Sequence, residues 1–187
     1  MKLISIFYLF LLTSCVRFHY TEINEPNSIR PNNPNVFKYK KPSLSNLDKS
    51  LIDLNSIYLV DTQYNKFDYK LFDKRNSKFI RFFLGGQILL VYCDTLPPID
   101  RINNKHIGTP GYFYIKNDEI RIEFLDETNG GQLTFQFGQI LNNGDIMLYE
   151  TNTRFANQSF KKLEKEGRKT FWKKTKIPEI VNYIPDW

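Results

Sequence analysis

The side chains that most often act as nucleophiles, bases or metal ligands are scarce in this sequence, which contains two cysteines and two histidines. They are Cys15, His19, Cys93 and His106. They form no cluster with the spacing of a metal site, and no Gly-x-Ser-x-Gly sequence marks a nucleophilic serine. The sequence therefore predicts no metal site, no cofactor and no catalytic residue.

Carboxylates offer another route to catalysis, because a general acid and a general base can be two carboxyl groups that lie close together. Glu123 and Glu150 would meet only if their strands were neighbours. The pairs Asp118-Glu119 and Asp126-Glu127 fall at predicted turns, where acidic side chains cap the backbone. A hydrolase acting on cell-wall or glycan substrates is therefore the weakest of the functions that we consider.

The strongest chemical signal is the position of Cys15. Met1-Lys2, which carries one positive side chain, precedes Leu3–Leu12, a run of ten residues without a charge. Such a run is too short to span a bilayer, which needs about 20 residues, but it suits the apolar region of a secretory signal peptide. The run closes on the sequence Leu12-Thr13-Ser14-Cys15.

This ending resembles the lipobox of bacterial lipoproteins, in which a leucine stands three residues before the cysteine and small residues lie between them. The resemblance implies that residues 1–14 are a signal peptide and that a diacylglyceryl group is attached to the Cys15 thiol. It also implies an acyl chain such as palmitate on the new amino group, so that the partner of this segment is the membrane. The alternatives are an ordinary secretory signal or an uncleaved anchor, with Cys15 incidental.

Lipidation of Cys15 would decide two further points. Cys93 would have no partner for an intramolecular disulfide, and its place at the end of an apolar run predicts a buried, inert thiol. By similarity to lipoprotein sorting, Val16 and the lack of an acidic run after it favour an outer-membrane protein that faces the periplasm.

The charge of the chain limits its partners. The formal charge is +6 for 187 residues, and it becomes +5 if Lys2 leaves with the signal peptide. Local excesses of basic residues lie at positions 38–41, 161–165 and 168–176. Such runs most often form a solvated surface. We expect no nucleic-acid partner, and of the ionic partners that remain we favour anionic lipid headgroups or acidic envelope polymers.

Composition divides the chain after the signal peptide into a tether and one domain. Residues 15–44 contain four of the nine prolines, with asparagines between them, and no helical or strand periodicity persists there. Proline removes backbone donors and favours extended conformations, so we predict a loosely ordered, lipidated spacer. We place the domain at residues 45–187.

The domain has the pattern of short strands joined by turns rich in glycine and asparagine, after a short helix at residues 45–54. The predicted strands are Ile57–Val60, Lys78–Phe83, Gln87–Cys93, Gly111–Lys116, Glu119–Leu125, Gln132–Ile140, Ile146–Glu150 and a last one near Lys169–Lys174, with Phe67–Phe72 as a further candidate. The pattern indicates an all-β fold of about seven or eight antiparallel strands, either an up-and-down barrel or a sandwich.

Three stretches resemble the small lipocalin-like lipoproteins of Bacteroidetes-type bacteria. They are Phe79–Leu89, Gly111–Glu123 and Gly138–Leu148, whose sequence patterns mark successive barrel strands in that family. The resemblance covers residues 55–175 and implies a lipocalin-like, up-and-down β-barrel. It is a strand pattern without a catalytic signature, so it concerns the fold.

The alternation of apolar and polar residues predicts how the core is built. Apolar residues alternate with polar ones in two successive strands: Ile120, Ile122 and Phe124, then Leu133, Phe135 and Phe137. We expect these two sets to share one buried face, with Thr134 on the opposite, solvated one. Strand 111–116 is apolar on both sides, which predicts a cover by a helix or the C-terminal tail, or else an apolar pocket or partner surface.

Two functions follow from these expectations. The first is a lipid-anchored envelope protein whose non-enzymatic, lipocalin-like module binds a small apolar ligand or an envelope partner. The second is a structural or assembly accessory protein that docks another envelope protein through its surface. A barrel cavity above about 300 Å³ would favour the first, and a filled interior with an exposed apolar patch would favour the second.

Overall fold

The computed structural model describes residues 20–23, 28–40, 50–60, 77–93, 96–127, 130–153, 159–166 and 169–187 of the chain. In chain order their elements are β1 (Tyr20–Glu22), β2 (Ile29–Pro31), a 3₁₀ turn (Pro34–Val36), β3 (Ser56–Val60), β4 (Ser77–Phe82), β5 (Gln87–Cys93), α1 (Ile99–Asn103), β6 (Thr109–Lys116), β7 (Glu119–Asp126), β8 (Gln132–Ile140), β9 (Ile146–Thr153), α2 (Phe160–Glu166) and β10 (Lys169–Lys176).

Eight of these strands close into an antiparallel barrel, in which each strand from β3 to β10 pairs with the next one along the chain. The barrel closes where β10 pairs with β3, from Trp172 opposite Val60 to Lys176 opposite Ser56. β1 and β2 form a separate antiparallel hairpin. The prediction of an all-β, up-and-down barrel is therefore confirmed, and the sandwich alternative is wrong.

The predicted turns join these strands where the backbone needs a left-handed residue. Gly86, between β4 and β5, and Gly144, between β8 and β9, both have a φ of 82°. Glycine adopts this conformation without the steric cost that a Cβ would add. The Asn143 Oδ1 atom also accepts the N–H of Asp145 at 3.0 Å, which tightens the second turn.

Two helices occupy segments for which we predicted no regular structure. α1 lies in the connection between β5 and β6, and α2 lies in the polar stretch before β10. They have five and seven residues, which is too short for a helical repeat of apolar residues to show in the sequence. The predicted strand at residues 67–72 and the first half of the predicted helix, residues 45–49, lie outside the described residues. Of residues 50–54, only 50 and 51 are helical.

Large side chains from all eight strands fill the inner side of the barrel. Phe82 on β4 contacts Phe113 on β6, with ring centroids 4.7 Å apart, although β5 lies between the two strands. Contact across an intervening strand identifies this face as the concave one. The buried side chains that the strands contribute to this inner cluster are 0–7% exposed: Tyr58, Ile80, Phe82, Ile88, Phe113, Ile120, Ile122, Phe124, Ile140, Ile146, Leu148 and Trp172.

A second apolar layer covers much of the outer side of the barrel. It is built from residues 28–40, α1 and the loop after it, α2 and residues 177–187, which bury Ile29, Phe37, Tyr39, Ile102, Ile107, Leu163, Ile180 and Trp187. On β6, the Tyr112 hydroxyl donates to the backbone oxygen of Trp187 at 2.6 Å, and the Tyr112 ring contacts Phe37. The prediction that one side of this strand is covered is confirmed.

The outer layer includes residues that we assigned to the tether. Ile29, Phe37 and Tyr39 are buried, with exposed fractions of 3%, 5% and 8%. They pack against the barrel because the outward side chains of the strands beneath them are apolar. The packed region therefore includes residues upstream of position 45, and residues 28–40 do not act as a free spacer.

The predicted shared face of β7 and β8 is wrong. The register places Ile122 opposite Gln136 and Glu123 opposite Phe135. The apolar set of β7 thus points into the barrel, and that of β8 points outward beneath the outer layer. Thr134 is not solvated either, since it is 8% exposed on the inner side. The alternation within a strand does not fix which of its faces matches that of a neighbour; the loop that joins the strands does.

Candidate functional site

The structure describes only two of the four residues that the sequence analysis considered first for chemistry. Cys15 and His19 lie outside the described residues. His106 is exposed in the loop between α1 and β6. The Cys93 thiol, at the end of β5, is partly buried and contacts the outer apolar layer.

Glu123 is the most unusual ionisable residue of the barrel wall. It lies on the outer side of β7, is 0% exposed, and accepts the backbone N–H groups of Lys38, at 2.9 Å, and Tyr39. Burial raises the pKa of this carboxyl to about 7, against the opposing effects of the two N–H donors and the Lys38 charge. Glu123 therefore attaches residues 28–40 to the barrel.

An acid–base pair of Glu123 and Glu150 would need their strands to be neighbours. β8 pairs with both β7 and β9 and so lies between them. The Glu150 side chain is outside the described ones. The condition that we set for this pair is not met, and the acceptor geometry of Glu123 is that of a structural group.

Arg81 is a second buried charge that attaches a covering segment to the barrel. It is 1% exposed on β4, and its guanidinium donates to the backbone oxygens of Ile102 in α1 and Val181 in the last segment. Its Cζ atom lies 4.7 Å from the ring centroid of Phe83 and 5.0 Å from that of Tyr183. Burial lowers the pKa of Arg81. Arg81 thus holds α1 and residues 177–187 together on the barrel.

Arg30 links the hairpin of β1 and β2 to the same layer. Its guanidinium donates to the backbone oxygens of Lys105 and Gly108, and its Cζ atom lies 4.6 Å from the Trp187 ring centroid. Burial lowers the pKa of Arg30 to about 10. The hairpin, the loop after α1 and the last segment therefore form one continuous surface.

The sequence analysis did not identify these buried charges, because Arg30 fell in the predicted tether, Glu123 lay on the side of its strand that we expected to be solvated, and Arg81 was not singled out. A signal was present: β5 and β6 are apolar at both odd and even positions, so their outer side had to be covered. A covered outer side makes any charged residue on it, such as Glu123, a candidate for a buried structural role.

A groove of about 730 Å³ opens at the end of the barrel, where residues 50–55 meet the turn between β8 and β9. Two of its polar residues, Asp53 and Asn55, are already engaged in hydrogen bonds. Asp53 accepts the N–H of Asn55 and the Ser56 hydroxyl, each at 2.9 Å, and Asn55 accepts the side-chain amide of Asn182 at 2.8 Å. These contacts hold the rim of the barrel and do not converge on a ligand.

The outer side of β10 is where the apolar cover ends. Lys169 and Lys173 point outward there and are exposed, as are Lys161 and Lys162 on α2. The Tyr149 ring on β9 contacts both elements, since its centroid lies 6.2 Å from that of Phe160 in α2 and 6.0 Å from the Lys169 ammonium. We call three of these residues the lysine face: Lys161, Lys169 and Lys173.

Apolar residues are exposed around α1 and in the last segment. Val181 and Ile184 in the last segment, Ile99 in α1 and Leu96 before it have exposed fractions of 56%, 62%, 39% and 58%. The last segment contacts α1 here, because Val181 donates its N–H to the Asn103 side chain at 3.0 Å and Ile99 lies one helical turn before Asn103. Leu96 and Ile184 are each three residues away in the chain from Ile99 and Val181. We call these four residues the apolar patch: Leu96, Ile99, Val181 and Ile184.

Two further properties concern the described part of the chain only. No three His, Cys, Asp or Glu side chains within it are close enough to hold a metal ion. No helix within it is long and apolar enough to cross a membrane.

The fold and its surfaces define a class, a closed β-barrel with a filled inner side and two distinct exposed surfaces. Comparison with known proteins adds no family to this description of the fold, because no family model, no curated protein and no solved structure matches the chain.

Proposed function

We propose that the chain is a lipid-anchored, non-enzymatic envelope protein, held at the outer membrane by Cys15, whose barrel docks an acidic partner protein through the lysine face. The observation that carries this proposal is the lysine face itself, an uncovered cationic surface on a barrel whose outer side is otherwise largely covered. The partner is defined by its chemistry, a surface rich in carboxylates.

The lysines of β10 are not neutralised by the strands beside them. The outward residues that pair with Lys169 and Lys173 are Tyr149 and Leu59, which are uncharged. No described carboxylate forms an ion pair with Lys161, Lys169 or Lys173. β10 itself contains four lysines and no acidic residue. An acidic partner would supply the missing negative charge.

The filled inner side supports docking over the storage of an apolar ligand. The inner cluster is closely packed: its strand residues are 0–7% exposed, and the Phe82 ring contacts those of Tyr58 and Phe113, with centroids 5.1 Å and 4.7 Å apart. Inward side chains that pack against one another leave little room for a ligand among them. Ligand binding stays the alternative function, and native mass spectrometry of the purified protein would favour it by detecting a retained apolar molecule.

The docking proposal can be tested by crosslinking in intact cells. A photo-reactive residue replaces Lys173 in one variant and Lys116, which is exposed at the turn between β6 and β7, in another. We expect a discrete adduct with an envelope protein at position 173 and none at position 116. The partner should carry clustered Asp and Glu residues at the site of attachment.

A pair of charge reversals shows whether charge drives the adduct. Lys169→Glu should weaken the adduct at position 173, whereas Lys40→Glu, an equal change at an exposed lysine on residues 28–40, should leave it unchanged. Equal adducts at positions 173 and 116, or an adduct indifferent to Lys169→Glu, would contradict docking through the lysine face.

A further inference from the structure

The apolar patch lies beside the point at which the chain leaves the barrel toward Cys15. Tyr20, the first residue of β1, is five residues after Cys15, a distance of at most about 17 Å along an extended chain. A lipid group on Cys15 would therefore keep this hairpin close to the bilayer surface.

The hairpin is joined to the patch by a series of direct contacts. β2 lies against the loop after α1, where the Ile29 N–H donates to Gly108 and the Gly108 N–H donates to the Ser28 hydroxyl. Lys105 in that loop forms an ion pair of 3.5 Å with Asp186. The last segment, which carries Val181 and Ile184, is thus part of the surface that begins at β1.

The charges around the patch are of mixed sign. Arg101 and Lys105 accompany Asp100, Glu179 and Asp186, so no ionic partner of one sign is selected. Isolated exposed apolar residues need no explanation, but four around α1 and the last segment, next to a membrane anchor, do. Side chains that insert at the boundary between headgroups and acyl chains bury apolar area without requiring a complementary protein surface.

We infer that the apolar patch is a membrane-contact surface, at which Ile99, Val181 and Ile184 enter the interfacial region of a phospholipid bilayer. This inference rests on the proposed lipid anchor at Cys15. The diacylglyceryl group and the acyl chain proposed on Cys15 would supply stable attachment, so the apolar contacts would fix the orientation of the protein on the bilayer.

The orientation that follows places the lysine face away from the bilayer. In the ring of eight strands, β6, against which the hairpin lies, is four strands from β10 in either direction. The lysine face is therefore across the barrel from the hairpin, and the segment that carries Val181 is attached to Arg81 on β4, two strands from β10. A membrane contact at the patch would present that face to partners in the surrounding compartment.

Fluorescence quenching on vesicles tests this orientation with the full, lipidated protein. In a Cys93→Ala background, single cysteines replace Ile99 and Ile184 in the patch and Lys116 and Lys173 outside it, and each carries an environment-sensitive fluorophore. The proteins are reconstituted into phosphatidylcholine vesicles with a quencher attached to the lipid. Unchanged melting temperatures of the labelled variants would show that the barrel is intact.

We expect emission at positions 99 and 184 to shift to the blue and to be quenched several times more than at positions 116 and 173. Equal quenching at all four positions in protein that floats with the vesicles would overturn the membrane contact and leave the anchor intact. Protein that does not float would overturn the anchor, and the inference with it. A blue shift that disappears when the protein is diluted among the vesicles would assign the patch to a second copy of the chain.

Discussion

Glu123 makes the attachment of residues 28–40 dependent on pH. Because its pKa is raised from 4.5 to about 7, the folded protein binds this proton more tightly than the unfolded chain does. The contribution of Glu123 to stability is therefore complete below about pH 4.5, and it is lost as the pH rises through about 7. The shift corresponds to at most about 3 kcal/mol.

A comparison with Glu123→Gln isolates this effect, since all other ionisable groups are shared. We expect the free energy of unfolding of the natural protein, relative to that of the variant, to fall by up to about 3 kcal/mol between pH 4.5 and pH 8. Urea denaturation at a series of pH values measures the difference. Parallel pH profiles for the two proteins would show that Glu123 keeps an ordinary proton affinity.

Arg81 holds two covering segments, α1 and residues 177–187, on the barrel, so its replacement should loosen both. Arg81→Met removes the donors to Ile102 and Val181 and leaves their buried oxygens unpaired, at a cost of roughly 3 kcal/mol. Amide hydrogen exchange reports the local effect, because the Val181 N–H is bonded to Asn103 and should lose protection.

Arg81→Lys separates geometry from charge in the same experiment. Lysine keeps the positive charge but cannot donate in two directions or stack between Phe83 and Tyr183 as a planar group. We expect it to destabilise the protein nearly as much as methionine does. Full protection of the Val181 amide in Arg81→Lys would mean that any buried cation suffices.

At the scale of the elements, both faces of the barrel wall carry stability. Phe135 points outward beneath Tyr39, with ring centroids 5.4 Å apart, and Phe113 points inward against Phe82. Their exposed fractions are 0% and 1%. Phe135→Ala and Phe113→Ala should therefore each cost about 3–5 kcal/mol, through lost burial and the cavity that remains.

Leu96→Ala provides the reference for this pair, since Leu96 is 58% exposed and its truncation should change stability by less than about 0.5 kcal/mol. Chemical denaturation measures all three. A small cost for Phe135→Ala beside a large one for Phe113→Ala would mean that the outer layer detaches easily and adds little to the fold.

The sequence predicted the strands well because a strand leaves a local signature, the alternation of side chains and a turn residue at its end. Gly86 and Gly144 mark turns that the structure contains. The relation between the faces of β7 and β8 could not be read in this way, since it depends on the path of residues 127–131 between them. The five-residue helix α1 was missed because only Ile102 marks its buried side.

Local sequence patterns also could not predict how the exposed and buried charges of the barrel are arranged. Two lysine-rich runs are visible in the sequence, but their meeting at Tyr149 is a consequence of how α2 folds back over β9. Glu123 lies on the side of β7 that we expected to be solvated, and nothing in the local pattern singled out Arg81. Both are buried only because other segments cover them. Long-range packing, absent from any local pattern, decides these assignments.

At the scale of the whole molecule, the binding of residues 28–40 to the barrel shortens the tether that we predicted from the sequence. β1 pairs with β2, and residues 28–40 are bound to the barrel, so any spacer between Cys15 and the first described strand is confined to residues 16–19. With the proposed lipid on Cys15, a barrel on a spacer of this length would stay near the bilayer, with the apolar patch toward the lipid. The proposed anchor, the apolar patch and the lysine face then form one arrangement.

The arrangement depends on Cys15, and the two cysteines of the chain provide a matched test. Cys15→Ser removes the thiol that would receive the lipid, so we expect unprocessed precursor or protein released from the membrane fraction. Cys93→Ser changes a partly buried thiol at the end of β5, far from the processing site in sequence, and should leave both processing and membrane attachment intact. Mass spectrometry of the purified membrane protein should find a diacylglyceryl-modified amino-terminal cysteine in the natural chain and in Cys93→Ser. An unmodified Cys15 in membrane-associated protein would show that another part of the chain holds it there, and the apolar patch would then have to act without a lipid anchor beside it.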